Sequence, residues 1–497
     1  MKKYAKLVSL VLAIAMVFAL GLTACSTPAE PSDSTQPSDS TAPSDSTEPS
    51  ETTEGGGENL TLWTWKIGYQ DGFQEVAKLA NVNLTIDPLG VDAEYQNKVK
   101  AAANSKTLPD IVHWWGSTAD DLSQSLVDMS TQEPFNTEEF KSRFYANAFD
   151  PVTVTKEQVE IWAQSKDASE VTKSQKEGQY WYVPLDTGGA YTIFANKKLL
   201  EDANVSTEIP KTWEEMVANM EAYKKATGGA GLACSLQIPN LWRGWCWTAL
   251  ELMYNGPEGY AEVCDPFMDF DLLTDRHLAT VEVVEELTEK ELWVPGSLSL
   301  TIDEGDQTFA ANKACYLLGG SYTAATLQAM GMNMDDVFSF PIPALEGSKI
   351  TEWTVTPGTL TGLGVSLNSE QKDAAFRYIE TMSTVDGALA FGNNGYSIPA
   401  TLLGDRVSEL TPVLSMIMES YVTDGSDPLS QFNTNYPQLK PIAGGAWMTR
   451  FENGMQKIMM GEGTAEDALK DCMASKKEEV AAGNIVKLEG YEDQFKK

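Results

Sequence analysis

The chain contains only two histidines, His113 and His277, and they lie far apart among its 497 residues. Metalloproteases, serine hydrolases and P-loop nucleotide-binding proteins carry the motifs HExxH, GxSxG and GxxxxGK[ST], and the sequence contains none of them. The Asp-rich stretch 265–275 lacks the glycine and the spacing of a calcium-binding loop. We therefore expect no enzymatic activity, no cofactor and no metal site.

Basic residues are also scarce. The chain has 36 Lys and Arg against 71 Asp and Glu, which gives a formal net charge of −35 at pH 7. Such an acidic protein repels phosphate groups, so the charge argues against nucleic acid and anionic lipid as partners. Five cysteines follow the one near the N-terminus, and an odd number cannot pair completely. We expect these five to be small buried apolar residues; they are Cys234, Cys246, Cys264, Cys315 and Cys472.

The N-terminus has the pattern of an export signal. Three lysines precede an apolar run, residues 7–22, that is short for a membrane span, which needs about 20 apolar residues. Residues 22–25 (LTAC) resemble the box at which bacterial lipoprotein signals are cleaved. The resemblance implies a signal peptide at 1–24, a lipid on Cys25 and a location on the extracellular face of the cell membrane. The alternative is an ordinary signal peptide with a cysteine near its end.

A tether follows the lipidated cysteine, over residues 25–58. It contains the near-repeat PSDSTQ-PSDSTA-PSDSTE-PSETTE and eight carboxylates, with no Lys or Arg. Ser, Thr, Pro and Asp bury too little apolar surface to offset the entropy of the chain, so we expect this segment to be disordered. It would hold a domain away from a surface while leaving it mobile.

From Asn59 onward the hydrophobic pattern alternates between strand and helix. Residues 60–65 alternate with period two, and apolar residues in 73–80 recur at i, i+3, i+4 and i+7. Residues 82–86 alternate again, 95–103 have one apolar helical face, and 111–112 begin a third strand. This β-α-β-α-β order is typical of a parallel sheet covered by helices.

Further elements follow the same α/β pattern downstream. Residues 191–195 read as a strand, and 212–215 and 464–467 read as capping boxes that begin helices. The length of the chain after the tether favours two lobes.

The order of several segments resembles the extracellular solute-binding proteins of carbohydrate ABC transporters, the family that includes maltose-binding protein. The matching segments are 60–65 (LTLWTW), 95–114, 179–184 (QYWYVP), 194–198 (FANKK), 209–215 (IPKTWEE), 309–322 and 461–470. Some positions depart from the family pattern: Ala195 precedes Asn-Lys where Tyr is usual, Cys315 stands where Met is usual, and 152–176 look like an insertion. These departures leave the identity of the ligand open.

The resemblance implies an α/β fold of two lobes, each a mainly parallel sheet flanked by helices, with the ligand cleft between them. The N-terminal lobe would comprise 59–186 and 360–404. The C-terminal lobe would comprise 187–359 and 405–497.

The resemblance also implies a function. The protein would be a monomeric receptor, attached to the membrane only through its lipid, that captures a carbohydrate and delivers it to ABC transporter permease subunits. Sugars present apolar faces ringed by hydroxyls, so their sites need aromatic rings with carboxylates, amides or cations. The positions that match the family are Trp65, Lys66, Trp114, Asp186, Trp242, Tyr322 and Trp447. Tryptophan is also a common core residue, and Trp63 shares a strand face with Trp65, so each ring has a packing alternative.

Two other functions stay open at this point. A surface glycoside hydrolase needs two carboxylates at a set separation, and a chain with 71 Asp and Glu always permits such a pair. A binder of peptides or other polar solutes could have the same fold, because fold does not fix the ligand.

Overall fold

The computed structural model describes residues 57–88, 92–115, 121–164, 168–188, 191–237, 240–264, 273–353, 358–421 and 446–482. All of these residues belong to one compact unit. The predicted signal peptide, Cys25 and nearly all of the predicted tether lie outside the described residues.

The first sheet has five strands, in the order β2-β1-β3-β9-β4. Their bounds are β1 Glu58–Thr64, β2 Val82–Pro88, β3 Ile111–Trp115, β4 Val183–Gly188 and β9 Gly358–Val365. Strand β1 pairs in parallel with β2 and β3, whereas β9 runs antiparallel to both β3 and β4.

The second sheet has four strands, in the order β6-β7-β5-β8. Their bounds are β5 Tyr191–Asn196, β6 Ala230–Ala233, β7 Ala314–Gly320 and β8 Val337–Pro341. Strands β6 and β7 are parallel, and β5 runs antiparallel to both β7 and β8.

Helices flank the two sheets. In the first half of the chain they are α1 Gln70–Ala80, α2 Asp92–Ser105, α3 Glu138–Lys141, α4 Lys156–Gln164, α5 Glu170–Ser174, α6 Lys197–Asp202, α7 Trp213–Thr227 and α8 Asn240–Trp242. In the second half they are α9 Thr248–Cys264, α10 Asp275–Glu289, α11 Ile302–Ala310, α12 Thr323–Ala329, α13 Lys372–Met382, α14 Val385–Gly395, α15 Pro412–Met418, α16 Ala446–Met459 and α17 Ala465–Ala482. Helix α9 kinks at Gly256, whose φ is 76°.

The predicted β-α-β-α-β unit is confirmed, and so is the strand at 191–195. The apolar stripe of α1 explains its position: Phe73, Val76, Ala77 and Ala80 recur on one face and are all buried. The expectation of mainly parallel sheets needs correction, because both sheets are mixed. Strand β9 returns the chain to the first sheet between β3 and β4 in the opposite direction, and β5 does the same in the second sheet.

The two predicted capping boxes differ in outcome. At α17, the Thr464 hydroxyl accepts from the Asp467 amide and the Asp467 carboxylate accepts from the Thr464 amide, so the reciprocal box is confirmed. At α7, the Thr212 hydroxyl accepts from the Glu215 amide as expected. The Glu215 carboxylate, however, accepts from the Lys211 amide rather than from Thr212, so only half of that box forms.

The second lobe holds a buried polar cluster between α9 and α10. Nδ1 of His277 lies 2.9 Å from Oε1 of Glu251, and its Nε2 lies 3.1 Å from Oε2 of Glu262. The second oxygen of Glu251 accepts from the Thr280 hydroxyl at 2.6 Å. The cluster joins the two helices by bonds that leave the buried carboxylate of Glu251 satisfied.

Four of the five later cysteines, Cys234, Cys246, Cys315 and Cys472, are buried, as expected for small apolar residues. The side chain of the fifth, Cys264, lies outside the described residues. Among the described helices, none is long and apolar enough to cross a membrane.

Candidate functional site

An aromatic stack lies at the carboxyl ends of β1 and β3. Trp65 directly follows β1, and its ring stacks on His113 at 4.3 Å and on Trp115 at 4.0 Å between centroids, with interplanar angles of 16° and 19°. Trp115 ends β3 and is half-buried. Open α/β sheets bind ligands beyond the carboxyl ends of their strands, so this stack is where the first lobe would meet a ligand.

A second aromatic group lies beside the start of β5 and the end of β7 in the second sheet. Tyr191 begins β5, and its ring stacks on Trp245 at 5.1 Å and 15°. Trp245 also meets Tyr322, two residues after the end of β7, edge to face at 6.1 Å. Three elements that are distant in sequence therefore bring their rings together.

The position of Trp245 depends on an unusual turn. Residues Arg243–Trp247 form one π-helical turn between α8 and α9. The Thr248 hydroxyl donates to the Arg243 carbonyl at 2.8 Å, and Arg243 pairs with Glu452 of α16 at 2.5 Å. A π-turn widens the helix and redirects the side chains that follow, and such turns are frequent at functional sites.

The two lobes touch between these aromatic groups. The ammonium of Lys66, one residue after Trp65, lies 4.0 Å from the centroid of the Tyr322 ring. Two residues further on, Gly68 packs so tightly that a Cβ there would lie 2.6 Å from the Ala325 carbonyl oxygen of α12. The contact is a cation–π interaction between lobes, next to a backbone contact that only glycine allows.

Asp186 forms a buried node where the chain leaves the first sheet. Its Oδ1 accepts from the Thr361 amide at 3.0 Å and from the Thr361 hydroxyl at 2.6 Å. Its Oδ2 accepts from the Tyr69 hydroxyl at 2.5 Å. The Ser397 hydroxyl lies 3.3 Å from Oδ2 but donates its one proton to the nearer Tyr69 oxygen, 2.9 Å away. Both carboxylate oxygens are thus occupied by donors of the protein.

His113 connects this node to the aromatic stack. The Thr361 hydroxyl donates to Asp186, so it must accept from Nε2–H of His113, 2.8 Å away. Nδ1 of the neutral ring then accepts from the Thr64 hydroxyl at 2.8 Å, and that hydroxyl accepts from the Lys66 amide at 3.0 Å. Burial, with the nearby Lys66 charge, holds the pKa of His113 well below its ordinary range, which agrees with a neutral ring.

Burial also controls the charge of Asp186. It raises the pKa of Asp186 above its ordinary value of 3.8, although the hydrogen bonds from Thr361 and Tyr69 and the charge of Lys66 act in the opposite direction. The carboxylate is therefore a costly buried group that the surrounding donors stabilise.

The structure brings together only some of the sequence-predicted residues. Trp65 and Lys66 are neighbours, and Lys66 reaches Tyr322 directly. Asp186 lies behind them, fully buried and within the electrostatic influence of Lys66. Trp65, Lys66, Tyr322 and Asp186 form one connected group. Among the described ring contacts, those of Trp114, Trp242 and Trp447 stay within one lobe.

Trp114, Trp242 and Trp447 lie in packed surroundings. Trp114, 4% exposed, meets Tyr95 and Trp115 and pairs across the sheet with Gly362. Trp242, 1% exposed, lies edge to face against Trp213 and Trp293 in the second lobe. Trp447 is buried in α16, with the Lys476 ammonium of α17 5.1 Å from its ring centroid. Trp65 and Tyr322 are each 6% exposed, so burial alone does not distinguish them from these three tryptophans. The neighbours of the three, which belong to their own lobe, favour packing roles.

Sequence reasoning missed Trp115, Trp245 and Tyr191. Strand alternation offered a signal for Trp115, because adjacent residues of β3 point to opposite faces and His113 and Trp115 share one of them. No local pattern marks Trp245, because it depends on the π-turn. Among the described residues, no cluster of His, Cys, Asp and Glu is arranged to hold a metal ion.

Cavities of ≈ 510 and ≈ 660 Å³ lie elsewhere on the molecule. The first is bordered by Trp293 and Gly296, and the second by Lys100 and Leu367. Neither is lined by Lys66 or Tyr322, so the aromatic groups and not these cavities define the candidate site.

Trp242→Ala should lower the free energy of unfolding by about 3–5 kcal/mol, because it removes a fully buried ring and leaves a cavity. Trp115→Ala is the matched control; its half-buried ring at the edge of a stack should cost clearly less. Chemical denaturation of both variants measures the difference. A Trp242→Ala protein with unchanged stability and lost ligand affinity would instead make Trp242 a ligand contact.

Asp186→Ala should destabilise the fold, because the Tyr69 and Thr361 donors would lose a buried acceptor at about 1–3 kcal/mol for each group left unpaired. Asp186→Asn keeps an acceptor oxygen and should cost less.

A comparison of Asp186→Asn with the wild type also tests the protonation of Asp186. A raised pKa means that the folded protein binds this proton more tightly than the unfolded chain, so the stability contributed by Asp186 falls as the pH rises from 3.8 through the raised value. Asp186→Asn lacks this dependence. Its melting temperature minus that of the wild type should therefore increase with pH over that interval; a flat or falling difference would contradict the assignment.

Comparison with known proteins agrees with the two-lobe architecture. The sequence profile of the family described as bacterial extracellular solute-binding protein matches residues 68–388. No curated protein sequence matches the chain significantly.

Solved structures share the fold at low sequence identity. One comes from work on xylan utilization by the thermophilic bacterium Caldanaerobius polysaccharolyticus; it is 19% identical, with a TM-score of 0.59 over 84% of this chain and 99% of that one. A maltose-bound T. maritima protein is 15% identical, with a TM-score of 0.58 over 85% and 99%. A chitin oligosaccharide binding protein is 18% identical, with a TM-score of 0.52 over 85% and 99%. The two-lobe fold and the profile match over most of the chain place this protein in the family of bacterial extracellular solute-binding proteins.

Proposed function

We propose that the protein binds an oligosaccharide between its lobes and delivers it, chemically unaltered, to the permease subunits of an ABC transporter. The observation that carries this proposal is the meeting of two aromatic groups, one from each lobe, at a charged contact between Lys66 and Tyr322. Several solved proteins of the same fold are described as bound to maltose or raffinose, or as binding chitin oligosaccharides, which supports a sugar as the ligand.

The chemistry of the site suits a sugar. Stacked rings offer flat apolar faces to the C–H faces of a pyranose, and the ammonium of Lys66 is a donor for its hydroxyl oxygens. Trp65 with Trp115 would supply the platform of the first lobe. Trp245 with Tyr322 would supply that of the second lobe.

The other predicted positions remain part of the proposal in a supporting role. Asp186 would hold Tyr69 and Thr361 in place beneath Lys66 rather than receive a sugar hydroxyl, because it is fully buried and both of its oxygens already accept hydrogen bonds from the protein. Trp114, Trp242 and Trp447 would shape the walls of the lobes.

Binding would close the lobes on the ligand. The chain crosses between the sheets after β4, before β9 and again beyond Ala400, and these crossings would act as a hinge. Closure is driven by contacts that exist only in the closed state, so the ligand must touch both lobes. The boundaries of the lobes, 59–186 with 360–404 and 187–359 with 405–497, are part of this proposal.

The protein would act at the extracellular face of the cell membrane as a monomer held by a lipid on Cys25. Two acyl chains hold a protein stably where one holds it marginally, which suits a receptor that must stay near its permease.

Purified protein should show a higher melting temperature with at least one sugar of a panel containing maltotriose, xylotriose, chitotriose and raffinose. A ligand at 100 times its dissociation constant adds about 2.7 kcal/mol of stability. Chromatography should return the sugar intact. Release of shorter sugars, abolished by replacing one carboxylate, would indicate a glycoside hydrolase, and no shift with any sugar would indicate another class of solute.

Gly68→Ala should weaken sugar binding and reduce the decrease in radius of gyration on adding that sugar, measured by small-angle scattering. A Cβ at this position would push against the Ala325 backbone when the lobes meet. Gly463→Ala is the matched control, because it lies outside the candidate site and a Cβ there would come no closer than 3.3 Å to another atom. Equal compaction and affinity in both variants would show that the contact at Gly68 has no part in closure.

Cys25→Ser should move the protein from the membrane fraction to the soluble fraction of a bacterial host, because serine cannot receive the thioether-linked lipid. Fractionation followed by immunoblotting measures the change. Retention of the variant in the membrane fraction would refute the anchor.

A further inference from the structure

One oxygen of the buried carboxyl group of Asp306 has no hydrogen-bond partner in the part of the chain that the structure describes. Asp306 lies in α11 and is only 2% exposed. Among the described residues, none donates a hydrogen bond to its Oδ2. Buried polar atoms in folded proteins almost always have a hydrogen-bond partner. An unpaired buried carboxyl oxygen therefore needs an explanation in the function of the protein or in its solvent.

The position of Asp306 in the fold favours the functional explanation of its unpaired oxygen. Helix α11 packs against β6, β7 and α12, and its Gly305 touches the Ser235 side chain, so closely that a Cβ on Gly305 would lie 2.1 Å from the Ser235 hydroxyl oxygen. Ser235 follows β6, and Tyr322 follows β7. Because β6 and β7 are parallel, Asp306 lies at their shared carboxyl edge, where α/β sheets bind ligands.

The positive charge that acts on Asp306 comes from the other lobe. Burial raises the pKa of Asp306 well above its ordinary value of 3.8, and the positive charge that opposes this effect is Lys66 of the first lobe. The same ammonium lies over the Tyr322 ring. The charge of Lys66 in the first lobe thus acts on Asp306, and the same ammonium contacts Tyr322; both of these residues belong to the second lobe.

Lys66 does not satisfy the carboxyl group in this structure. Its ammonium contacts the Tyr322 ring, and Oδ2 of Asp306 remains without a donor among the described residues. An unpaired acceptor is thus left within the electrostatic influence of Lys66, whose ammonium lies on an aromatic face; an ammonium and an aromatic face are the other two groups that a pyranose uses.

We propose that Asp306 is a ligand-binding residue of the second lobe, which hydrogen-bonds a hydroxyl of the sugar that stacks on Tyr322. This inference rests on the proposed function and extends it, because it names a residue that selects among sugars. A buried group that needs a hydroxyl strongly disfavours a ligand that lacks one at that position, since the group is then left unpaired.

The test compares Asp306→Asn with Asp303→Asn by titration calorimetry. Asp303 is an exposed carboxylate on the same helix and serves as the matched control. The probes are maltotriose, xylotriose, chitotriose and raffinose, and the tightest binder of the wild type is used for the variants. A hydrogen bond to a charged group is worth roughly tenfold to a hundredfold in affinity, so Asp306→Asn should weaken binding by that factor. Asp303→Asn should stay within about twofold of the wild type, because an exposed charge outside the site adds little.

Two further measurements separate a ligand contact from a purely structural role. The melting temperature of Asp306→Asn without sugar should equal or exceed that of the wild type, because the substitution removes a buried charge. A crystal structure of the wild type with the same sugar should place Oδ2 of Asp306 within hydrogen-bond distance of a sugar hydroxyl. This structure decides the question even where the variant fails to fold.

The outcomes distinguish the two levels of the proposal. If the wild type binds none of the four sugars, the proposed function fails and the role of Asp306 fails with it. If the wild type binds a sugar but Asp306→Asn binds it equally well, or if Oδ2 bonds only to water in the sugar complex, the role of Asp306 is overturned while the proposed function stands.

Discussion

The buried carboxylate of Asp186 is the interaction on which the arrangement of the site depends. It accepts hydrogen bonds from Tyr69 and from Thr361 of β9, and Ser397 donates in turn to the Tyr69 hydroxyl. These residues lie on three segments of the chain, at positions 69, 361 and 397. The buried carboxyl group is stabilised by these hydrogen bonds, so the node holds the three segments in one geometry. Removing the carboxyl group would leave the Tyr69 and Thr361 donors without their acceptor.

The residue after this node ties the first sheet to the second lobe. The Ser321 hydroxyl donates to the Thr187 carbonyl at 2.9 Å, and the Thr187 hydroxyl lies 2.8 Å from that of Tyr421. One side chain at this crossing is thus fixed within the first lobe, and the next residue contacts the second. A hinge needs this property, because the backbone rotation has to be confined to a few positions while each lobe moves as a rigid body. The charge of Lys66 acts on a carboxyl group in each lobe, since it lowers the pKa of both Asp186 and Asp306.

The sequence allowed the local elements to be predicted more fully than the site. Periodicity located the first five elements, because the period of burial follows from strand and helix geometry alone. It could not give the direction of β5 or β9, since alternation reports which face is buried and not which way a strand runs. The position of Trp65 followed from its place at the end of β1. Trp242 and Trp245 could not be told apart, because an ideal helix would not contain the π-turn that separates their environments.

Asp306 shows why a binding site resists prediction from local pattern. In the sequence it is one of 71 acidic residues, and its helix begins with an ordinary capping box between Thr301 and Glu304. Its distinction arises only when the fold buries it and brings Lys66 from 240 residues away. In a chain of net charge −35, bringing the lobes together concentrates like charge, and a single cation placed between buried carboxyl groups lowers that repulsion. A neutral polyhydroxylated ligand adds no charge to this arrangement and can donate to the acceptor that Lys66 leaves open. The electrostatics of the cleft thus favour a neutral sugar over an anionic solute.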